Sequence, residues 1–308
     1  MKDIFVNSFI NGTNWEDEVT AIDRMAKLTK EDIVAFADKY LKEDNYAVVY
    51  KKQGKDPNEK KMTKPEITPI VSNRDVASPF LTSIQENAVK PIEPVFLDFK
   101  KDMSQLTAKS DIPVLYKQNT TNDLFQLIYV FDMGNNNDKA LGTAFDYLEY
   151  LGTSDMTPEE LKSEFYRLAC TFYVSPGNER TYVVLSGLNE NMPAAMQLFE
   201  KLLADAQVNK EAYDNLVGDI LKARADAKLN QGQNFSRLMN YAMYGPKSPA
   251  TNLLTEAELA SMNPQELVDR IHNQNNYKHR ILYYGPSSSK DLLATIDQYH
   301  QVPATLKD

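Results

Sequence analysis

The 308-residue sequence contains few of the residue types from which enzyme sites are most often built. It has one cysteine and three histidines, so no disulfide can form within the chain and no Cys-rich metal centre is available. G-x-S-x-G, P-loop, G-x-G-x-x-G and C-x-x-C patterns are all absent, which removes the common nucleophile, nucleotide and redox motifs. Cys170 lies in the apolar stretch Leu168–Phe172, and we interpret it as a small buried hydrophobe rather than a nucleophile.

The sequence is also short of positive charge and of long apolar runs. Its net charge is -9 and its pI is about 5.0, whereas a duplex-binding protein needs a cluster of Lys and Arg, so we predict no nucleic-acid partner. No apolar run approaches the ~18 residues that cross a bilayer, and we predict no membrane segment. The start at Met1–Ile4 lacks the apolar core of a secretory signal, which suggests a cytoplasmic protein or an excised fragment.

Residues 1–51 are predicted to be a helical tail that ends in a strand. Apolar residues recur at helical spacing from Val19 to Leu28. Thr29, followed by acidic residues in the next turn, predicts the N-cap of a further helix. Tyr46–Tyr50 has the composition of a strand. These elements are too few for a two-layer core, so the tail is interpreted as the end of a preceding α+β module.

Residues 52–95 are predicted to form an extended linker. They hold six of the chain's 15 prolines, and repeated proline interrupts both helices and sheet ladders. The stretch Lys51–Glu66 carries six lysines against three acids, which we interpret as a solvated strap and not as a binding patch.

From residue 96 to 308 the pattern predicts one compact α+β domain, in which a largely antiparallel sheet packs against helices. A hairpin is predicted from the strand-like segments 112–117 and 124–132, joined by a polar turn. The other predicted elements are helices at 139–151, from Thr157, near 190–204, at 209–229 and at 287–300, with strands at 180–188 and 280–284. The predicted core includes Val183, Leu185, Leu198, Leu202 and Leu216.

Two segments of the chain look like copies of one unit. Leu28–Tyr50 aligns without gaps with Met262–Tyr284, so that Asp32 falls on Glu266 and Tyr50 on Tyr284. Chance similarity between two amphipathic helix–strand units is the alternative explanation. If the match is real, the chain comes from a tandem array of similar modules.

Three stretches resemble the insulinase/pitrilysin-type zinc peptidases. Leu148–Thr153, followed by Met156–Leu161, is similar to the signature of that family's inactive modules. Val183–Asn191 resembles the junction between a strand and the helix that runs under the sheet. Leu28–Ile33, together with Tyr40 and Asn45, resembles the helix and strand that close a module, and Tyr283–Pro286 recurs at the corresponding place.

The resemblance implies a position within a larger enzyme. Peptidases of this type resemble two clam-shell halves built from four similar α+β modules. Residues 1–51 would then end the second module, and residues 96–308 would be the inactive third module. The implied partners are the other modules of the same polypeptide and a peptide substrate. The context suggests a bacterial protein, with the periplasm or cell envelope as the expected location of the parent.

The family's catalytic motif is degenerate at the matching place. Active modules carry H-x-x-E-H on a helix, where two imidazoles one turn apart hold zinc and the Glu acts as base on the metal-bound water. This chain has Asp146 and Tyr150 at the two ligand positions and keeps Glu149. A phenol is a poor zinc ligand near neutral pH because its pKa is about 10. We therefore predict no catalytic residue, no metal site and no cofactor in this chain, with zinc held by the parent's catalytic module.

The remaining candidate ligands do not restore the motif. Asp214, Asp219 and Asp226 lie where a third ligand would be sought, and we interpret them as a solvated helix face. His272, His279 and His300 lie far from the motif in sequence, and His279 has Lys278 and Arg280 beside it, which oppose cation binding.

Two functional hypotheses stay open at this point. The first is a non-catalytic module that supports the catalytic half of a zinc metallopeptidase and lines its peptide chamber. The alternative is a free-standing inactive subunit that binds peptides or assists assembly. An H-x-x-E-H module encoded upstream in the same reading frame would favour the first hypothesis. A hydrolase in its own right would need an active centre that the sequence does not contain.

Overall fold

The structure is a computed structural model that describes residues 2–44, 46–51, 53–54, 63–69 and 76–308. The chain divides into two compact units, residues 1–90 and residues 91–308. Within the described residues, no helix combines the length and the apolarity needed to cross a membrane.

The first unit contains five helices and no strand among its described residues. They are α1 (Lys2–Asn11), α2 (Trp15–Val19), α3 (Ala21–Met25), α4 (Lys30–Tyr40) and α5 (Pro79–Gln85). The predicted cap is confirmed: the Thr29 hydroxyl accepts from the Asp32 N–H, and the Asp32 carboxylate accepts from the Thr29 N–H. The apolar residues of this unit are largely exposed; Phe9, for example, is 86% exposed and Leu41 79%.

Two predictions for this unit are wrong. Residues 46–50 form no strand, because no described strand lies beside them to complete a ladder, and Val49 is 91% exposed. The linker is not extended throughout, since α5 forms within it. Ser78 caps α5, and Pro79 occupies the first turn, where its missing N–H would have no partner in the helix. The lysines at 52, 55, 60 and 61 of the predicted strap lie outside the described residues.

The second unit is a six-stranded sheet with helices. The strands are β1 (Ser104–Ala108), β2 (Ile112–Gln118), β3 (Leu124–Phe131), β4 (Cys170–Pro176), β5 (Thr181–Leu188) and β6 (His279–Gly285). The helices are α6 (Leu141–Leu148), α7 (Pro158–Arg167), α8 (Met192–Asp205), α9 (Lys210–Leu229), α10 (Gln231–Tyr244), α11 (Glu256–Ser261), α12 (Pro264–Asn273) and α13 (Ser289–Tyr299). The predicted α+β class is thereby confirmed.

The sheet has the strand order β1-β2-β6-β3-β5-β4. Four of its five pairings are antiparallel, and β2 with β6 is parallel, so the prediction of a largely antiparallel sheet holds. The predicted hairpin is wrong: β2 and β3 do not pair, because β6 lies between them. Val114 pairs with Ile281 on one side of β6, and Leu127 pairs with Tyr283 on the other. The turn after β2 spans the extra strand, and its buried Asn119 donates its N–H to the carbonyl of Gly285.

The core lies on one face of this sheet. Val183, Leu185, Leu202 and Leu216 are buried as predicted, and Leu198 is partly buried against the same cluster. The residues that alternate along each strand toward this face meet the apolar sides of α6, α7, α8, α12 and α13. The result is two layers, with helices over one face of the sheet.

The predicted elements differ from the observed ones in length and number. The helix expected at 139–151 is shorter and ends at Leu148, and the strands β1 and β4 were not predicted at all. Both missed strands lie at the edges of the sheet, where one side has no partner and polar residues are tolerated.

Gly187 fixes the contact between β5 and the edge strand β4. Its φ is +154°, and a Cβ at this position would lie 2.4 Å from the carbonyl oxygen of Ala169 and 2.6 Å from Cys170 Sγ. Because Cys170 is the cross-strand neighbour of Gly187, a larger residue would push β4 away from the sheet.

We therefore expect Gly187→Ala to lower the free energy of unfolding by about 2–4 kcal/mol, because it combines a disfavoured φ with a backbone clash. Gly218→Ala is the matched control. Gly218 lies within α9 with nothing within 4 Å of the added methyl, so this variant should gain roughly 0.5–1 kcal/mol. Urea unfolding of both variants measures the difference, and equal stabilities would contradict the role given to Gly187.

Candidate functional site

The degenerate motif lies at the end of α6 and does not stay on one helix. Asp146 is in the last turn of α6, Glu149 is its C-cap, and Tyr150 lies beyond it. The N–H of Tyr150 bonds to the carbonyl of Tyr147, three residues back. The backbone therefore forms a 3₁₀-type turn at the position of the second ligand of the family motif. All three side chains are exposed.

Tyr147 anchors this end of the helix from within. It is fully buried, and its hydroxyl donates to the carbonyl oxygen of Asn209 at 2.5 Å and accepts from the Asn209 N–H at 2.8 Å. Burial raises the pKa of this phenol. The link fastens the motif to the start of α9 and leaves Asp146 and Glu149 outside the core.

The two acids of the motif repel each other. Partial desolvation of the carboxylate raises the pKa of Asp146, and the negative charge of Glu149 adds to the shift. A bound cation would instead lower the pKa of a carboxylate that coordinates it. The two ligand positions hold one carboxylate, Asp146, and one exposed phenol, Tyr150, with no imidazole, so the residues present do not fit zinc.

The described residues contain no group of three His, Cys, Asp or Glu side chains placed to hold a metal. Asp214, Asp219 and Asp226 are exposed along α9, and Asp214 pairs with Lys210 at 2.7 Å. His272 is half-buried at the end of α12, with its Nε2 3.1 Å from the carbonyl oxygen of Ala206. His279 and His300 are buried elsewhere, on β6 and after α13.

The face of the sheet opposite the core carries an apolar row that crosses five strands. Its members are cross-strand neighbours: Leu115, Leu282, Ile128, Val184 and Tyr173. None belongs to the core cluster, and all but Val184 are half-buried or exposed. We call this row the open-face row. The row leads across the sheet to the edge strand β4.

The strand β4 offers a free backbone edge. The N–H of Gly177 bonds to the Arg180 carbonyl at one end of the β4–β5 pair, and the N–H of Leu188 to the Ala169 carbonyl at the other. Because hydrogen-bonded pairs alternate in an antiparallel ladder, the backbone groups of the intervening residues Cys170, Phe172 and Val174 point away from β5. Pro176 continues that series, in keeping with proline at an unpaired edge.

An apolar cavity of about 320 Å³ lies beside this edge, between β4, α6 and α7. Phe145, Phe165, Phe172 and Tyr166 contribute its aromatic walls, and Glu149 and Lys162 contribute the charges. Burial raises the pKa of Cys170, which lines the same cavity, so this thiol stays protonated. The interpretation of Cys170 as a small buried residue agrees with its position.

Sequence reasoning missed this edge because it treated the stretch after Leu168 as the surroundings of a cysteine. The available signal was the enrichment of Cys170–Ser175 in aromatic and β-branched residues, with Thr171 and Ser175 alternating with apolar side chains. The open-face row had no such signal, since its five members come from strands that are distant in sequence.

Comparison with known proteins gives structural matches only. No family model matches the sequence, and no curated protein matches it. The periplasmic protease PqqL of Escherichia coli matches 94% of this chain at 14% identity, with a TM-score of 0.58. The peptidase M16 inactive domain from Pseudomonas fluorescens matches 64% at 15% identity with a TM-score of 0.56, and the ferredoxin protease FusC, in complex with Arabidopsis ferredoxin, matches 99% at 11% with 0.57.

These likenesses establish the fold. The chain has the fold of M16 peptidase modules, the insulinase/pitrilysin type, and the resemblance indicated by the sequence is confirmed at that level. The chain spans 30% of PqqL, 36% of FusC and 50% of the inactive-domain structure, so it corresponds to a part of each.

The degenerate motif predicts that the isolated chain binds no zinc tightly at neutral pH and does not hydrolyse unfolded peptides. Isothermal titration with zinc and a peptide-cleavage assay with and without chelator measure this. Stoichiometric zinc together with chelator-sensitive cleavage that disappears in Glu149→Gln would overturn the prediction. Cleavage that survives Glu149→Gln would indicate a contaminating peptidase, because the base would be gone.

Proposed function

We propose that this chain is a non-catalytic module of a zinc metallopeptidase, which lines the peptide chamber and supports the catalytic half. The observation that carries the proposal is the open-face row running to the free edge of β4. An extended peptide needs unpaired backbone groups for its main chain and apolar positions for alternate side chains, and this part of the sheet offers both.

A peptide paired with β4 would place its side chains alternately on the two faces of the sheet. On one face they would meet Tyr173 at the end of the open-face row. On the other they would meet the aromatic cavity beside Phe172. In this proposal the peptide is held by the module, and hydrolysis takes place at zinc bound elsewhere in the parent protein.

The tail of residues 1–51 is proposed to close a preceding module of the same kind. The exposed apolar residues of α1 to α4 support this, because a helix with an uncovered apolar face normally packs against another element. The helices α4 and α12, which correspond in the internal alignment, both begin at a capping residue, Thr29 and Asn263.

The parent's other modules and a peptide substrate are the proposed partners. A periplasmic or cell-envelope location is proposed for the parent, in line with the periplasmic PqqL among the structural matches. The acidic balance of the chain gives no support to a nucleic-acid partner.

Binding at the β4 edge is tested with Val174→Pro. This change removes one outward-facing N–H and leaves the bonds to β5 in place, so we expect the affinity for a fluorescent, disordered peptide of alternating apolar and polar residues to fall roughly tenfold. Fluorescence anisotropy measures the affinity. Val174→Thr, which keeps the N–H and a β-branched side chain, is the matched control and should bind within about twofold of the unaltered chain.

Circular dichroism and thermal melting establish that both variants fold. Equal peptide affinity for folded Val174→Pro and Val174→Thr would show that the edge of β4 does not hold the peptide. Absence of binding by the unaltered chain, at concentrations where it is folded, would also count against a peptide surface on this module.

A further inference from the structure

A buried polar network joins four elements of the second unit and has no part in the function proposed above. The carboxylate of Glu200 on α8 lies 2.6 Å from His300 Nδ1, and His300 Nε2 lies 2.8 Å from His279 Nε2. His279 Nδ1 lies 2.7 Å from the carbonyl oxygen of Tyr277. The exposed fractions are 1% for Glu200, 0% for His300 and 6% for His279.

The Tyr277 carbonyl determines which ring nitrogens of the two histidines donate and which accept. The Tyr277 carbonyl can only accept, so His279 Nδ1 carries a hydrogen, and in the neutral ring Nε2 is then an acceptor. His300 Nε2 must therefore donate to it. The other ring nitrogen of His300, Nδ1, faces the Glu200 carboxyl group.

The Glu200 carboxyl group is also held by residues outside the two histidines. Its oxygens accept three further hydrogen bonds, from Asn275 Nδ2 at 2.9 Å, the Gln301 N–H at 3.1 Å and the Tyr129 hydroxyl at 3.3 Å. Together with His300, these donors give both buried oxygens of Glu200 hydrogen-bond partners. Burial, and then the charge of Glu200, raises the pKa of Tyr129, so the phenol stays a donor.

We propose that Glu200, His300 and His279 form an acid-sensitive latch that fastens α13 and residues 301–308 to the sheet. In the closed state His300 Nε2 donates to the neutral ring of His279, and His300 Nδ1 contacts the Glu200 carboxyl group. A proton added to His279 Nε2 would set two N–H groups against each other across 2.8 Å. The bond between the histidines would then be lost.

The segment fastened by the latch forms a wall of two cavities. Ala304, Thr305 and Leu306 line a cavity of about 640 Å³ that His279 also lines. Gln301, Val302 and Pro303 line a cavity of about 280 Å³ on the side of Glu200. Release of this segment would open both cavities, which gives the latch a structural consequence beyond the core.

The other charged groups near the network are paired or lie at its margins. In the larger cavity the Asp132 carboxylate binds Arg280 at 2.7 Å and Arg180 at 3.0 Å, and Lys278 pairs with Asp308. The pairing with Arg280 lowers the pKa of Asp132. Several titratable groups face the three latch residues or line the two cavities. In chain order they are Asp111 before β2, Tyr129 on β3, Asp132 after β3, Glu200 on α8, His272 on α12, Tyr277 and Lys278 before β6, His279 and Arg280 on β6, and His300 and Asp308 after α13.

Burial, followed by the charge of His300, lowers the pKa of His279 to about 4. When the segment is released, the imidazole of His279 is exposed to water and regains its ordinary pKa of about 6.5. The open state therefore takes up a proton that the closed state does not. The latch is therefore closed above pH 6.5 and weakens as the pH falls toward 4. The opening constant should rise by up to roughly tenfold per pH unit, or ~300-fold across this window.

Hydrogen exchange of the full chain tests this, with protection factors corrected for the intrinsic pH dependence of exchange. Protection of residues 289–308 should fall from pH 7 to pH 4.5 faster than protection of β3 and β5. His279→Gln supplies an acceptor for His300 that cannot be protonated in this range, so the selective loss should disappear. His272→Gln, which removes the half-buried histidine outside the latch, should keep it.

The NMR chemical shifts of the histidine ring nitrogens, measured on the unaltered chain, give a second test that does not depend on a variant. At pH 7 His279 should carry its proton on Nδ1 alone, with Nε2 as the acceptor from His300. A proton on His279 Nε2 at pH 7, or the same acid response in His279→Gln as in the unaltered chain, would overturn the proposal. Loss of the acid response in His272→Gln would assign it to another histidine and would also overturn it.

Discussion

The pairing of β6 with both β2 and β3 is the constraint on which the second unit depends. β6 comes from the last tenth of the chain and lies between two strands that follow each other in sequence. Ile281 and Tyr283 on β6 are buried, and they complete the core between the residues of β2 and β3. The sheet forms only when β6, at least 148 residues from its partners (Phe131 to His279), pairs with both of them, so local contacts alone cannot specify this fold.

The two faces of the sheet differ because helices cover only one of them. The covered face holds the core, including the paired histidines, while the open-face row keeps apolar side chains at the surface. A sheet face of this kind is normally completed by another element. The proposed peptide site and the proposed place of the module in a larger protein both follow from this asymmetry.

Buried hydrogen bonds join separate segments of the second unit. Glu200 bonds to His300 and to the backbone of Gln301, so the residues after α13 are fixed by a carboxyl group on α8. Tyr147 fixes the end of α6 to the start of α9 in a similar way. These contacts are made inside the protein, where an unpaired partner would be costly, so each makes the local geometry specific. The motif positions Asp146 and Tyr150 lack such ties and stay exposed.

Residues close together in the chain were enough to predict the class of fold, the helices α7 to α9, the cap at Thr29 and the degeneracy of the motif. Periodicity also identified β5, β6 and most of the core. The tertiary structure decided the rest. It placed β6 inside the expected hairpin and brought five distant strands into the open-face row. It also brought His279 and His300 together with Glu200. The sequence analysis had rejected both histidines as metal ligands because they lie far from the motif. Each of these depends on strand order and on packing between distant segments, and neither is encoded in the spacing of neighbouring residues.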